Sequence, residues 1–206
     1  MARVAVLGIT GRVGSRVGSE LLRRNHLVTG IARSVAGVAR SPGLTLVALD
    51  GVDTEGIAAV IRDHDAFVSA TRFVDGIQPS ELTAAAKCGG VMRVLVVGGA
   101  GSLLTGAGGP ALVDAPQFPA AVKAEALAGR AFLEVLRGER VLAWTFLSPS
   151  ADFFPGTRTG HFRLGGDELL VDGEGHSRIS MEDFAVALVD EIETPAHVRQ
   201  RFTVGY

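Results

Sequence analysis

Three glycines stand three residues apart, at positions 8, 11 and 14, directly after the apolar run Val4-Ala-Val-Leu7 and before a stretch of helical periodicity. This order dictates a strand, a tight turn and a helix. Gly8 lets the chain leave the strand sharply, Gly11 removes a Cβ where a pyrophosphate would approach the backbone, and Gly14 lets the helix pack close to the sheet. The free amides and the positive end of the helix dipole make the corner an anion site, with Thr10, Arg12 and Val13 between the glycines. No Gly-Lys-Ser/Thr follows, which excludes a Walker phosphate loop.

Apolar β-rich runs recur downstream at residues 27–32, 44–49, 66–70, 93–97, 141–147 and 201–206. Helical stretches separate most of them, at residues 15–24, from Thr54, from Pro79 to Gly89-Gly90, 119–137 and 181–193, the last opened by the capping pattern Ser180-x-x-Asp183. The alternation predicts an α/β chain, a Rossmann-type doubly wound parallel sheet with helices on both faces. We expect one NAD(P)-binding domain over residues 1–206. Its nucleotide-binding core spans 1–150, and a smaller substrate-side segment spans 151–206. Residues 103–118, rich in glycine and proline and without periodicity, are expected to form a mobile flap, with Val122, Leu127, Ala131 and Leu136 as apolar positions of the helix that follows.

In open α/β sheets, ligands gather at the carboxyl ends of the strands. That rule singles out Ser69-Ala70-Thr71, Gly98-Gly99 with Ser102, and Ser148 as candidate site residues. A dinucleotide site for NAD places an acid after the second strand to hold the ribose 2′-hydroxyl. Here no acid occurs between Leu21 and Leu49, and Arg33 follows the strand directly. With Arg12, it either binds the 2′-phosphate of NADP(H) or is an ordinary surface charge. NADP(H) is the expected cofactor, with NAD(H) left open. Asp50, next to Gly51, either accepts from the adenine amino group or caps the helix near Thr54.

A formal charge of −2 gives no electrostatic reason to bind nucleic acid or an anionic membrane, so a small-molecule acceptor is the expected partner. The uncharged stretch 94–113 is broken by glycines and Pro110, and no leader precedes the first strand, so a cytoplasmic monomer or homodimer is expected. The five histidines show no metal-ligand spacing, and no metal is expected. The lone Cys88 is expected to be a buried, inert thiol, and the Phe153-Phe154 pair either to pack in the core, the favoured reading, or to line a planar-ligand pocket.

The segments Gly8-Ile-Thr-Gly-Arg-Val-Gly14, Val96-Val-Gly-Gly-Ala-Gly-Ser102, Phe118-Pro, Lys123-Ala-Glu-Ala126, Trp144-Thr-Phe-Leu-Ser-Pro-Ser150 and Arg178-Ile-Ser-Met-Glu-Asp-Phe184 carry a resemblance. Together the chain resembles, nearly end to end, the atypical short-chain dehydrogenase/reductase group of NAD(P)H-binding, NADH-flavin reductase-like proteins. The resemblance implies an NAD(P)H-dependent oxidoreductase acting on a flavin, as substrate or bound cofactor, or on a similar planar acceptor. It also implies Ser102 and Lys123 as active-site residues. In the wider short-chain family a tyrosine stands four residues before the lysine; here Pro119 occupies that place, and Val122 stands where close relatives have a tyrosine.

The chain has one tyrosine, Tyr206, at its end, so a Tyr-x-x-x-Lys proton relay cannot form. Carbonyl reduction needs a positioned acid, whereas a flavin takes a hydride from a stacked ring and its other proton from water. The absence therefore favours a flavin or quinone-like acceptor. Two alternatives remain: a non-catalytic NADP-binding sensor, and a pathway-specific reductase or isomerase with Lys123, Asp152 or His161 as acid.

Overall fold

A computed structural model describes residues 1–206. Strands β1 (Arg3–Leu7), β2 (Leu27–Ala32), β3 (Leu44–Ala48), β4 (Ala66–Ser69), β5 (Arg93–Val97), β6 (Ala143–Pro149) and β10 (Gln200–Gly205) run parallel. With β8 (Arg163–Gly165), which pairs antiparallel to β10, they form an eight-stranded sheet in the order β3-β2-β1-β4-β5-β6-β10-β8. A second, two-stranded sheet pairs β7 (Asp152–Phe154) with β9 (Arg178–Ser180). The strand order reverses between β1 and β4, which opens a crevice at the carboxyl ends of both.

Side chains alternate across each strand, and the two faces bury separate cores. Val4, Val6, Val68, Leu95 and Leu147 face helices α1 (Gly14–Arg23) and α5 (Met181–Glu193), meeting Val17, Leu21, Phe184 and Leu188. Ala5, Leu7, Phe67, Val94, Val96 and Phe146 face α2 (Thr54–Ile61), α3 (Pro79–Gly89) and α4 (Ala120–Arg137), meeting Ile57, Ile61, Leu82, Phe132, Leu133 and Leu136. Full burial of each such side chain contributes about 1.5 to 3 kcal/mol. No helix is long and apolar enough to cross a membrane.

Local signals set most element ends. Ser180 caps α5 by accepting from the Asp183 N–H at 3.0 Å, and Gly90 ends α3 in the left-handed region. The cap of α2 is Asp53, which accepts from the Gly56 N–H at 2.9 Å; Asp50 is therefore not the cap.

Three expectations are corrected. Cys88 is exposed, because α3 buries Leu82, Ala85, Ala86 and Gly89 and turns position 88 to the opposite side. On α4, Val122, Leu127 and Ala131 are exposed, because Gly129, Phe132, Leu133 and Leu136 form the face that meets the sheet. Residues 103–118 are not a free flap: Leu103 and Val113 are fully buried, and Leu104 exchanges backbone hydrogen bonds with Asp167 and Leu169 at 2.9 and 2.8 Å.

Candidate active site

The parallel register lines up the carboxyl ends of the central strands, Leu7 beside Ile31 and Ser69, and Val97 beside Leu147. The loops leaving those ends therefore converge. Gly8, at φ 87°, turns the chain off β1, and a Cβ there would lie 2.7 Å from the Ala70 carbonyl oxygen. Gly11 donates to the Gly8 carbonyl at 2.9 Å. Gly14 starts α1 so close to the turn that a Cβ would stand 2.1 Å from the Gly8 oxygen. No side chain caps the first turn of α1 and no acid sits in it; the Ser15, Arg16 and Val17 amides donate to the Gly11 and Val13 carbonyls, so the Arg12, Val13 and Gly14 amides and the helix dipole are what an anion would meet.

Two hollows meet at this turn. The smaller, of about 240 Å³, holds Gly8, Thr10, Arg33, Asp50 and Gly51. The larger, of about 750 Å³, runs along Val13 and Gly98 to Gly101 and is walled by Phe73, Leu112, Phe118, Val122 and Phe153. Gly11, Ala70, Thr71 and Arg72 line both, so the two are halves of one cleft. Phe153 serves the core as well, its ring 5.0 Å from Phe184. Of the residues beyond 150, only Ala151 and Phe153 line the larger hollow.

Charge at the cleft is unevenly neutralised. Arg16 and Arg23 of α1, and Arg24 just after it, are all ion-paired, to Glu182, Glu20, Asp190 and Glu193, whereas exposed Arg12 and Arg33 have no carboxylate partner. The Asp50 carboxylate makes only a 3.4 Å contact with the Val52 N–H and remains open to the smaller hollow.

The structure does not bring every candidate to the cleft surface. Ser69 is buried with its Oγ 3.3 Å from Thr71 Oγ1. Ser148 is fully buried, and neither its Oγ nor that of Ser102 has a hydrogen-bond partner. Lys123 is exposed, with its neighbour Val122 rather than its own side chain at the wall. Tyr206 lies away from both hollows, its hydroxyl bound to Asp183 at 2.7 Å.

Sequence reasoning missed Phe73, Arg72, Arg130 and the role of Glu125, all at the larger hollow. Glu125 is the one carboxylate there; its oxygens accept from the Phe73 and Val74 N–H groups at 2.7 and 3.2 Å. Arg130 pairs with Asp114 at 2.8 Å and ties α4 to the loop over the site. These partners lie far apart in the chain and leave no local pattern.

A doubly wound parallel sheet with an uncapped glycine turn at its switch point defines a Rossmann-type nucleotide-binding protein. A family model described as NAD(P)H-binding matches residues 8–194, and the chain belongs to that family. Similar solved structures include a proposed exported protein from Burkholderia pseudomallei, 41% identical with both chains covered in full and a TM-score of 0.89. A proposed epimerase from Bacteroides thetaiotaomicron is 36% identical over 100% of this chain and 97% of its own, with a TM-score of 0.93. A proposed NADH-flavin reductase from Streptococcus pneumoniae is 31% identical over 100% and 99%, with a TM-score of 0.86.

The residues present suit a nicotinamide dinucleotide. Besides the glycine turn, Gly99 lines the larger hollow in extended backbone, at φ −133°, and a Cβ there would meet nothing within 4 Å. Neither backbone conformation nor packing requires glycine at this position.

Proposed function

We propose that the protein is an NADPH-dependent oxidoreductase whose acceptor is a flavin or a similar planar, quinone-like molecule. The observation that carries this reading is the larger hollow: its walls are apolar and aromatic, and Glu125 is the one side chain lining it that could act as an acid or base. Glu125 is engaged by two amides, Thr71 contacts Ser69, and Ser150 donates to the Val204 carbonyl at 2.9 Å. An epimerase or carbonyl reductase needs such a group, and hydride transfer to a flavin does not.

When bound, the nicotinamide nucleotide supplies two electrons and a proton as a hydride. The chain's own residues bind and orient. The amides of Arg12, Val13 and Gly14 on the glycine turn, with the dipole of α1 behind them, hold the pyrophosphate, and Arg33 with Arg12 holds the 2′-phosphate. Asp50 accepts from the adenine amino group. Gly99 leaves room beside β5, and Phe73, Phe118 and Phe153 keep water from the acceptor face. The acceptor's second proton comes from solvent, so Ser102 and Lys123 are supporting rather than proton-donating residues. All of this lies in one domain over residues 1–206.

NADPH oxidation followed with FMN, riboflavin and a quinone panel tests the reading. Turnover with a flavin or quinone, at a rate insensitive to Lys123→Ala, supports it. NADPH binding without oxidation by any acceptor overturns it in favour of a nucleotide-occupancy sensor.

A further inference from the structure

The Glu125 carboxylate reaches from α4 to a loop 52 residues earlier in the chain, the segment joining β4 to α3. One oxygen accepts from the Phe73 N–H at 2.7 Å, the other from the Val74 N–H at 3.2 Å, and the Arg72 guanidinium stands 3.6 Å from the second oxygen. Two consecutive amides on one carboxylate fix the backbone between them, because each is a charge-assisted hydrogen bond.

The same loop is gripped a second time, one turn along the helix. The Phe73 ring fills the space left by Gly129, where a Cβ would lie 2.9 Å from it; it stacks on Phe146 at 6.0 Å and meets Phe132 tilted at 5.3 Å. Thr71 and Arg72 divide the two halves of the cleft, whereas Phe73 and Glu125 line only the larger half. The loop's later residues, from Phe73 on, therefore set the wall on the acceptor side, whereas the nucleotide turn at Gly8 to Gly14 packs against its first residues, Ala70 and Thr71.

We infer that Glu125 is the positioning residue of the acceptor chamber: its carboxylate holds the Phe73 and Val74 backbone, and through it the wall against which a planar acceptor lies. This rests on the acceptor reading above. Without the carboxylate, two amides lose their acceptor and Arg72 loses one of its two carboxylate neighbours, the other being Asp75 at 3.4 Å. A glutamine in its place accepts from one amide and presents an NH₂ to the other, so it restores half of the grip.

The experiment titrates oxidised FMN and riboflavin by fluorescence quenching, and NADPH separately, against wild type, Glu125→Ala and Glu125→Gln, with steady-state KM and kcat beside them. Glu125→Ala is expected to weaken flavin binding and raise the flavin KM about tenfold, as loss of one such interaction does. NADPH affinity should stay within about twofold, and Glu125→Gln should fall between wild type and Glu125→Ala. A merely structural role would lower thermal stability and weaken both ligands alike. Equal losses for flavin and NADPH, or an unchanged flavin affinity in Glu125→Ala, overturns the inference. A wild-type protein that binds and reduces neither flavin, nor any quinone, overturns the acceptor reading instead, and the role of Glu125 falls with it.

Discussion

Tyr206 donates its hydroxyl hydrogen to the Asp183 carboxylate at 2.7 Å, which commits the chain's one tyrosine to the amino-terminal cap of α5. Burial pushes its phenol above the ordinary value, and Asp183 acts in the same direction. Burial would raise the Asp183 carboxyl too, but hydrogen bonds from Thr159, Gly160 and Tyr206 outweigh it and hold that group low. Tyr206 thus serves structure. Tyr206→Phe should cost about 1 to 2 kcal/mol in urea unfolding and leave the turnover number for NADPH oxidation within about twofold. A fall of about a hundredfold, the lower end for removing an acid/base group, would return the tyrosine to the chemistry.

Two glycines separate packing from binding. Gly14→Ala puts a Cβ 2.1 Å from a backbone oxygen that cannot swing away, so it should destabilise the fold by about 3 kcal/mol, the upper end for overpacking. Gly99→Ala meets nothing, so its unfolding midpoint should match wild type. If a nucleotide passes beside Gly99, the same substitution should still weaken NADPH binding about tenfold or more, a loss of about 1.4 kcal/mol. Wild-type affinity in Gly99→Ala would remove that stretch from the site.

How much of this could be read from the chain alone depends on how local each cause is. The ends of β2, β5 and α5 follow from apolar runs and from Ser180, all within a few residues. The missing acid after β2 was equally legible, because it is visible in one stretch of sequence, whereas the lack of a distant partner for Arg33 was not. The buried face of α4 was not. Val122 and Leu127 are as apolar as Phe132 and Leu136, and only contact with Phe73 and Phe146 selects between them. Cys88 was misplaced for the same reason: its helix is rich in alanine, and the packing of α3 on α2 decides which side is covered. The anchoring of residues 103–118 depends on Asp167 and Leu169, about sixty residues on, which no local pattern announces.

A buried carboxylate gives the fold an acid limit. Glu20 on α1 is 5% exposed and is held by Arg23, Arg24 and Arg158 at 2.7 to 2.8 Å. Burial would raise its carboxyl, but hydrogen bonds from those three guanidinium groups outweigh it and hold it well below the usual carboxylate range. A carboxyl depressed in the folded state contributes stability above its unfolded value of about 4.3 and loses it as pH falls below that value toward the folded one. Glu20→Gln should cost about 3 kcal/mol at pH 7, as breaking a buried ion pair does. The gap between mutant and wild type should narrow below about pH 4 by up to about 1.4 kcal/mol per pH unit. A gap in chemical-denaturation midpoints that stays constant from neutral to acid pH would show that Glu20 acts by packing rather than by charge.

Nucleotide preference is the sharpest test of the cleft's smaller half. Arg33 lies at the end of β2, exposed and unpaired, in a hollow it shares with Gly8, Thr10 and Asp50. A charge-assisted contact from a guanidinium to a 2′-phosphate contributes about 1.5 to 3 kcal/mol, or roughly ten- to a hundredfold in affinity. Arg12, also unpaired, stands on the glycine turn in the larger half; were both side chains to reach one 2′-phosphate, their contributions should not add fully. Arg33→Ala should therefore weaken NADPH by about that factor, leave NADH nearly unchanged, and reduce the salt sensitivity of the preference, because the lost contact is an exposed charge pair. Titrating both nucleotides against wild type and Arg33→Ala at low and high salt decides the point. Equal wild-type affinities for NADPH and NADH, or equal losses for both in the mutant, would make Arg33 a surface charge and leave the 2′-phosphate without a seat at the end of β2.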